Sequence, residues 1–187
     1  IGTVYLEQKN YDKALFILQQ AMGRNGGAEN ALIQSNLGKI YYAEDKTSLA
    51  RDSFQKAIDL DPNLIDAALL LSFIHLDNRA WATAEEVLSN AILLEPNNAA
   101  VLNSMGIAKR GLGEIDEAEK LYRQALIFEP NNPEPLLNLA ILEADYRNKY
   151  EEAYVLLNEY VNQGGVNKDL VDQWRTEFEE SESAYLR

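Results

Sequence analysis

Residues 94–98 read LEPNN and residues 128–132 read FEPNN, so nearly the same five letters occur twice. The prolines of the two copies, Pro96 and Pro130, mark a 34-residue period. A looser copy, LDPNL, occupies residues 60–64, and its Pro62 precedes Pro96 by the same interval. Evenly spaced copies indicate an internal repeat. A period of this length is typical of chains built from stacked supersecondary units, each too small to bury its apolar face alone.

Residues of one kind recur in the same columns when 34-residue units are aligned from Ala31, Ile65 and Ala99. Six columns agree across the units. Column 7 holds Leu37, Leu71 and Met105; column 8 Gly38, Ser72 and Gly106; column 20 Ala50, Ala84 and Ala118; column 24 Phe54, Leu88 and Tyr122; column 27 Ala57, Ala91 and Ala125; and column 32 Pro62, Pro96 and Pro130. The small residues of columns 8 and 20 predict places where two helices touch closely.

Each unit is predicted to contain two amphipathic helices, because apolar residues recur three and four positions apart on both sides of a short polar break. The breaks read AEDK, DNRA and LGE. The proline ends the second helix, since it lacks the N–H group that a continuing helix needs. Asn98 and Asn132 are predicted to cap the helices that follow, and Pro133 suits a first helical position. The EPNN stretches therefore separate one unit from the next.

The pattern resembles the tetratricopeptide repeat, a family of 34-residue helix–turn–helix units. The resemblance covers essentially the whole chain and implies an all-α fold, a right-handed superhelix (α-solenoid) of antiparallel helix pairs in a single domain. The expected parts are a truncated repeat at residues 1–28, full repeats at residues 31–64, 65–98 and 99–132, a degenerate repeat at residues 133–165 and a capping helix at residues 167–187.

The first and last repeats depart from the family pattern. The interval from Ala14 to Ala50 is two residues longer than the period, and RNGGAE replaces the proline between them, so two extra residues are expected in that turn. In the degenerate repeat one residue is inserted within YRNKYEE. Tyr160 stands there in place of the expected alanine, and Gly164 and Gly165 replace the proline.

The end of the chain is expected to form one more amphipathic helix. Its apolar face would hold Leu170, Val171, Trp174 and Phe178. A solenoid must cover its last apolar surface. Because the opposite face is acidic rather than basic, the pattern favours a capping helix over a helix that binds a membrane or a partner.

Composition narrows the possible partners and compartments. With 17 basic and 30 acidic residues, the formal net charge is -13, which repels phosphate backbones, so no nucleic-acid partner is expected. The absence of cysteine excludes thiolate chemistry but leaves the compartment unknown, with the cytoplasm and the bacterial periplasm both compatible. No apolar run reaches the roughly 20 residues of a membrane helix, so no transmembrane span is expected. The start at Ile1 suggests a piece of a longer protein.

The chain offers few groups for catalysis. His75 is the only histidine, which together with the absence of cysteine leaves no set of ligands for zinc or iron. Acidic pairs such as Glu85 and Glu86 are neighbours in sequence and would point about 100° apart on a helix, so they do not converge. GRNGG lacks the lysine of a phosphate-binding loop. We therefore expect no enzyme, no metal and no cofactor.

The resemblance implies that the first helix of every unit lines a concave groove. The expected groove is apolar in its middle and polar at its ends. Its residues are Asn36, Lys39, Tyr42, Leu69, Leu70, Phe73, Leu76, Asn103, Ile107, Arg110, Leu137, Asn138 and Ile141. The apolar residues could instead pack neighbouring first helices. We favour a groove that accepts a helix or an extended segment of a partner protein, with Phe73 and Ile107 as anchors.

Two binding modes of the family serve as comparisons. A two-carboxylate clamp for acidic C-terminal peptides is not expected, because Thr3, Asp66 and Leu70 stand where asparagine, lysine and arginine are needed. Other members hold a peptide backbone with a ladder of asparagines, whose amides both donate and accept. The corresponding column here is a broken ladder of Asn36, Leu70, Ser104 and Asn138.

The leading hypothesis is a non-catalytic scaffold or adaptor that binds a protein or peptide in this groove. One alternative is a homo-oligomer formed through exposed repeat surfaces. The other is a regulatory repeat domain of a larger protein, for instance in bacterial envelope, motility or secretion machinery. The fold alone does not choose among them.

Overall fold

The computed structural model describes residues 2–24, 29–167, 169 and 171–176. These residues form helices and no strand, which confirms the predicted all-α class. The helices are α1 (Gly2–Glu7), α2 (Tyr11–Met22), α3 (Ala31–Ala43), α4 (Thr47–Leu60), α5 (Ile65–Asp77), α6 (Trp81–Leu94), α7 (Ala99–Gly111), α8 (Ile115–Phe128), α9 (Glu134–Arg147) and α10 (Tyr150–Asn162). Residues 171–176 are helical as well. None of these described helices is long and apolar enough to cross a bilayer.

Each odd-numbered helix packs against the helix that follows it, so the described chain is a series of helix hairpins. Helices α3, α5 and α7 begin at Ala31, Ile65 and Ala99, the first residues of the 34-residue units. The predicted breaks are the three-residue turns after α3, α5 and α7. The period read from the prolines is therefore the period of the hairpins.

The chain divides into two compact units, Ile1–Glu95 and Pro96–Arg187. The first unit contains α1 to α6, with buried clusters between α2 and α3 and between α4 and α5. The second contains α7 to α10, with clusters between α8 and α9 and between α9 and α10. The assignment of the chain to a single solenoid domain stays a prediction.

The turn inside each of the first four hairpins contains one residue in the left-handed region. These residues are Lys9, Asp45, Arg79 and Gly113, with φ of 55°, 58°, 56° and 83°. Asp45, Arg79 and Gly113 follow one another on the 34-residue period, whereas the interval from Lys9 to Asp45 is two residues longer. The two extra residues therefore lie between these two turns, and their predicted place in the RNGGAE stretch stays a prediction. Residues 25–28 of the RNGGAE stretch lie outside the described residues.

Asparagine side chains cap the helices that follow the EPNN stretches. The Asn98 Oδ1 atom accepts hydrogen bonds from two N–H groups in the first turn of α7, at 3.0 and 3.2 Å. The Asn132 Oδ1 atom accepts from the Glu134 N–H at 3.1 Å. Pro133 has helical backbone angles, φ -72° and ψ -27°, directly before α9. The predicted capping roles of both asparagines are confirmed.

Small residues in column 8 mark close helix contacts, and the structure places the bulky residues of column 24 against them. A Cβ atom added to Gly38 would lie 2.6 Å from the ring of Phe54, and one added to Gly106 would lie 2.5 Å from the ring of Tyr122. Both rings are fully buried. The 34-residue repeat between them, residues 65–98, has Ser72 in column 8 and Leu88, which has no ring, in column 24. Glycine thus occurs where a ring must lie against the first helix.

The two departures of the degenerate repeat are parts of one change. Tyr160, which replaces an alanine, is buried in the cluster between α9 and α10. A Cβ atom on Gly165, which replaces the proline, would collide with its ring. The Tyr160 hydroxyl accepts a hydrogen bond from the Asn167 N–H at 3.2 Å. The glycine therefore leaves room for the tyrosine.

The helical residues 171–176 pack against the last hairpin. Val171 is fully buried in the cluster between α9 and α10, and Trp174 packs against the same cluster. Arg175 hydrogen bonds to Asn158 of α10. Leu170 and Phe178, the other two residues of the predicted apolar face, lie outside the described residues, so the capping helix at residues 167–187 stays a prediction.

Candidate functional site

The first helices of the hairpins form one surface in each compact unit, which we call the first-helix face. Two aromatic side chains meet on the first-helix face of the first unit. The ring of Tyr42 lies 6.3 Å, centroid to centroid, from that of Phe73, and the ring planes are 84° apart. Tyr42 lies on α3 and Phe73 on α5, so the contact joins two neighbouring first helices. Edge-to-face packing of this kind is favourable. The pair is nevertheless open to solvent, because Phe73 is 54% and Tyr42 38% exposed.

Polar residues flank this aromatic pair. The Lys39 ammonium lies 4.0 Å from the Asp66 carboxylate, whose side chain is largely exposed. An exposed ion pair at this distance contributes at most about 1 kcal/mol. Asn36 is partly buried on the same helix as Lys39. The ion pair with Asp66 therefore contributes little to fixing the Lys39 side chain.

The remaining apolar residues predicted for this face are less exposed. Leu76 is 8% exposed and belongs to the core. Leu70 packs against the cluster between α4 and α5. Leu69 is partly buried. In this unit, part of the predicted apolar band contributes to internal packing, and Phe73 is its most accessible member.

The second unit brings together three predicted polar residues. The Asn138 Nδ2 atom on α9 donates to the Asn103 Oδ1 atom on α7 at 3.0 Å, and also to the Glu134 carbonyl at 3.2 Å. The Arg110 Nη1 atom donates to the backbone carbonyl of Asn138 at 3.4 Å. These contacts link α7 to α9 across their first-helix face. We call Asn103, Asn138 and Arg110 the polar triad.

The asparagine pair retains one free donor and one free acceptor. Within the described part of the chain, the Asn103 Nδ2 group and the Asn138 Oδ1 atom have no hydrogen-bond partner. A peptide unit offers one C=O and one N–H group. The two amides are therefore complementary to a single peptide unit of a bound segment.

The apolar residues predicted on this unit's face are partly buried. Ile107, predicted as an anchor, packs against the cluster between α8 and α9. Leu137 packs against the cluster between α9 and α10, and Ile141 is partly buried. Of the two predicted anchors, Phe73 is thus the more accessible.

His75 lies on α5 and is partly buried. Burial lowers its pKa, and the charge of Arg51 lowers it further. The imidazole is therefore neutral at pH 7. Among the residues that the structure describes, no group of three His, Cys, Asp or Glu side chains is placed to hold a metal ion.

Sequence reasoning missed a charged cluster in the second unit. The Arg147 guanidinium lies 2.7 Å from Asp116, 2.7 Å from Glu119 and 3.2 Å from the buried Glu143. Burial alone would raise the pKa of Glu119, but hydrogen bonds from Arg147 and Arg123 bring it below its usual value. Only the four-residue spacings of Glu119 with Arg123 and of Glu143 with Arg147 are visible in the sequence. The cluster ties the start of α8 to the end of α9.

Paired helices on a fixed 34-residue period make this chain a helical repeat protein, with open first-helix faces in both units. Family models described as tetratricopeptide repeat match residues 31–64 and residues 98–128. The chain thus contains tetratricopeptide repeats over these residues, which confirms the resemblance. Its repeats support a protein-interaction scaffold as the general class of function.

Curated relatives match part of the chain. A BBSome complex member BBS4 homolog of Drosophila melanogaster is 27% identical over 117 residues, which are 63% of this chain and 24% of that protein. The chloroplastic tetratricopeptide repeat domain-containing protein PYG7 of Arabidopsis thaliana is 30% identical over 100 residues, 52% of this chain and 33% of that protein. The chain spans a quarter to a third of the length of these relatives.

Solved structures share the fold. MamA from Desulfovibrio magneticus superposes with a TM-score of 0.76 at 16% identity, covering 87% of this chain and 90% of that one. YrrB, described as a TPR protein with an unusual peptide-binding site, gives 0.75 at 18% identity, covering 94% and 88%. PilF of Pseudomonas aeruginosa gives 0.76 at 21% identity, covering 98% and 84%. At these identities the likeness extends to the fold alone.

Proposed function

We propose that the chain is a non-catalytic scaffold or adaptor that binds a helix or an extended segment of a partner protein on its first-helix faces. The observation that carries this proposal is the exposed ring of Phe73, held against Tyr42. Burying a fully exposed phenylalanine side chain contributes about 1.5–3 kcal/mol, and because Phe73 is 54% exposed, covering it contributes about half of that. A rigid aromatic pair between two helices is thus a suitable anchor for an apolar side chain of the partner.

The polar triad supports the same function in the second unit. Its free Asn103 donor and Asn138 acceptor suit a peptide backbone, whatever the side chains of the bound segment. In this unit the partner is held by its main chain, whereas in the first unit it is held by an apolar side chain at Phe73. The aromatic pair therefore contributes affinity, and the amides contribute orientation.

A matched pair of variants tests the proposal. Phe73→Asp places a charge on the first-helix face, whereas Phe16→Asp makes the same change on α2, where the ring is 59% exposed. Each variant and the parent chain are immobilised, proteins retained from a lysate of the source organism are quantified, and the affinity for the retained partner is measured by calorimetry. We expect Phe73→Asp to lose the partner and Phe16→Asp to keep it, with helicity by circular dichroism unchanged in both.

Equal retention by the Phe73→Asp variant and the parent chain would refute the proposed site. Equal loss in both variants would show that binding depends on general surface charge rather than on the first-helix face. The proposal requires the loss to be specific to position 73.

Self-association is a second candidate function. Leu93 is 79% and Ile127 72% exposed, and the two residues occupy the same column of their 34-residue repeats. Exposed leucine and isoleucine at equivalent positions favour contacts between copies of the chain. Light scattering across a concentration series separates the candidates: a mass that stays monomeric at every concentration excludes the homo-oligomer.

A further inference from the structure

Arg110 differs from the other partly buried lysine and arginine residues of the chain. Among the described residues, it is the only one of them that lacks an ion pair with a carboxylate. The lysines and arginines without an ion pair at other described positions are exposed. The partly buried ones that do pair are Lys39 with Asp66, Lys109 with Glu114, Arg147 with Asp116, Glu119 and Glu143, and Arg175 with Asp172.

The contacts of Arg110 leave most of its donors free. Its one hydrogen bond among the described residues is the 3.4 Å contact with the Asn138 carbonyl. A guanidinium has five N–H donors, arranged as a fork that matches the two oxygens of a carboxylate. Partly burying such a group without an anion costs free energy. The chain has 30 acidic residues, yet none of the described ones is placed against this guanidinium.

The position of Arg110 beside the asparagine pair indicates which kind of anion would reach its guanidinium. Asn103 and Asn138 are complementary to one peptide unit, and Arg110 contacts the backbone of Asn138 itself. A side chain leaving that peptide unit would therefore reach the guanidinium. The triad has more free donors than acceptors, which suits an anionic rather than a cationic side chain.

We propose that the polar triad is a subsite for an aspartate or glutamate within an extended segment of the partner. The peptide unit of this residue binds Asn103 and Asn138, and its carboxylate binds Arg110. The inference rests on the proposed function, since it specifies the partner that the first-helix face of the second unit takes. Arg110 lies in column 12, away from the columns of the two-carboxylate clamp where Asp66 and Leu70 stand.

Three small probes test the subsite without the natural partner. N-acetyl-aspartate N′-methylamide has a side-chain carboxylate between two peptide units. N-acetyl-asparagine N′-methylamide is its neutral counterpart, and N-acetyl-alanine has only a terminal carboxylate. Each is titrated into the isotope-labelled chain at millimolar concentrations, and NMR signals of the Asn103 and Asn138 side-chain amides and of the Arg110 Nε–H group are followed.

The blocked aspartate should bind about tenfold more tightly than the blocked asparagine, because hydrogen bonds to a charged partner are about twice as strong. Arg110→Gln should remove this difference and Arg110→Lys should reduce it, since lysine keeps the charge but not the fork. Arg79→Gln, which makes the same charge change at an exposed residue of the first unit, should leave the difference unchanged.

Four results would overturn the proposal of an aspartate or glutamate subsite. Equal binding of the two blocked probes, an unchanged preference in a folded Arg110→Gln variant, or no shift in the three reporter signals would each exclude an aspartate subsite. Tighter binding of N-acetyl-alanine would assign the site to a chain terminus instead. Loss of the partner in the Phe73→Asp experiment without loss of probe binding separates the two proposals, because the three residues of the polar triad all belong to the second unit.

Discussion

Replacing Gly38 with alanine should destabilise the first unit, although alanine is the better helix former. The added Cβ atom would lie 2.6 Å from two ring carbons of Phe54 and 2.9 Å from a third. Carbon atoms at their optimal separation are about 3.5–4.0 Å apart, so the ring must move by about 1 Å. Phe54 is fully buried in the cluster between α4 and α5, which leaves it little room to do so.

The expected cost follows from two opposing contributions. Overpacking a core costs about 1–3 kcal/mol, and a contact this short belongs at the upper end. The helix propensity of alanine returns about 1 kcal/mol. The net loss is therefore about 2 kcal/mol, which lowers the melting temperature of a chain of this size by about 4–8 °C. Gly23→Ala is the matched control, because its Cβ would lie 3.7 Å from the nearest atom and cost nothing.

The repeat itself suggests a compensating change. Phe54→Leu alone should cost about 1–2 kcal/mol through the space that it leaves. The double variant Gly38→Ala, Phe54→Leu approximates the combination of Ser72 and Leu88 in the next 34-residue repeat. We expect it to be about 2 kcal/mol more stable than the sum of the single changes predicts. Urea unfolding of the four proteins, followed by circular dichroism, measures this coupling. Additive effects would refute the pairing of columns 8 and 24.

Three further predictions concern the packing, the turns and the charged cluster. Ala118→Leu should overpack the buried cluster between α8 and α9 to which Ala118 belongs and cost about 1–3 kcal/mol, and unchanged melting would mean that the columns are misassigned. Arg79→Gly should stabilise the fold by about 0.5–1 kcal/mol, because the φ of Arg79 is 56°, whereas Gly113→Ala, at φ 83°, should cost about 1 kcal/mol. Melting temperatures of the two variants that do not change in opposite directions would contradict this interpretation. Because the pKa of Glu119 is lower in the folded chain than its usual value of 4.5, its ionised form stabilises the fold at any pH above 4.5. This contribution is lost as the pH falls through the pKa of the folded state. In the Glu119→Gln variant, the free energy of unfolding should therefore fall less steeply as the pH is lowered below 4.5. An unchanged pH dependence would show that Arg147 does not stabilise the ionised form of Glu119.

Helix ends and turns were predictable because local chemistry decides them. Asn98 caps the helix that begins at the next residue, and the break before Ile115 contains Gly113 in the left-handed region. Hydrogen bonds and steric contacts of this kind involve residues within four positions of one another. Their sequence signals are therefore complete within a short window.

The candidate site was predictable only as a set of positions. Phe73 and Leu76 belong to the same predicted apolar band, yet the first is half exposed and the second is buried. Asn103 and Asn138 were both predicted, but their hydrogen bond was not, because it joins residues 35 positions apart. Whether a first-helix side chain is accessible depends on which helices pack beside it.

The sequence by itself determined the 34-residue period, the breaks between paired helices and the columns of small and bulky residues, because each depends on the type and spacing of residues. Tertiary packing decided that a glycine of column 8 lies against a ring of column 24. Tertiary structure decided which apolar residues stay open to solvent. It also decided that Arg147 gathers carboxylates from two helices while Arg110 has none among the described residues. Exposure and charge pairing depend on neighbours that are distant in sequence, and only the packing of the helices brings those neighbours together.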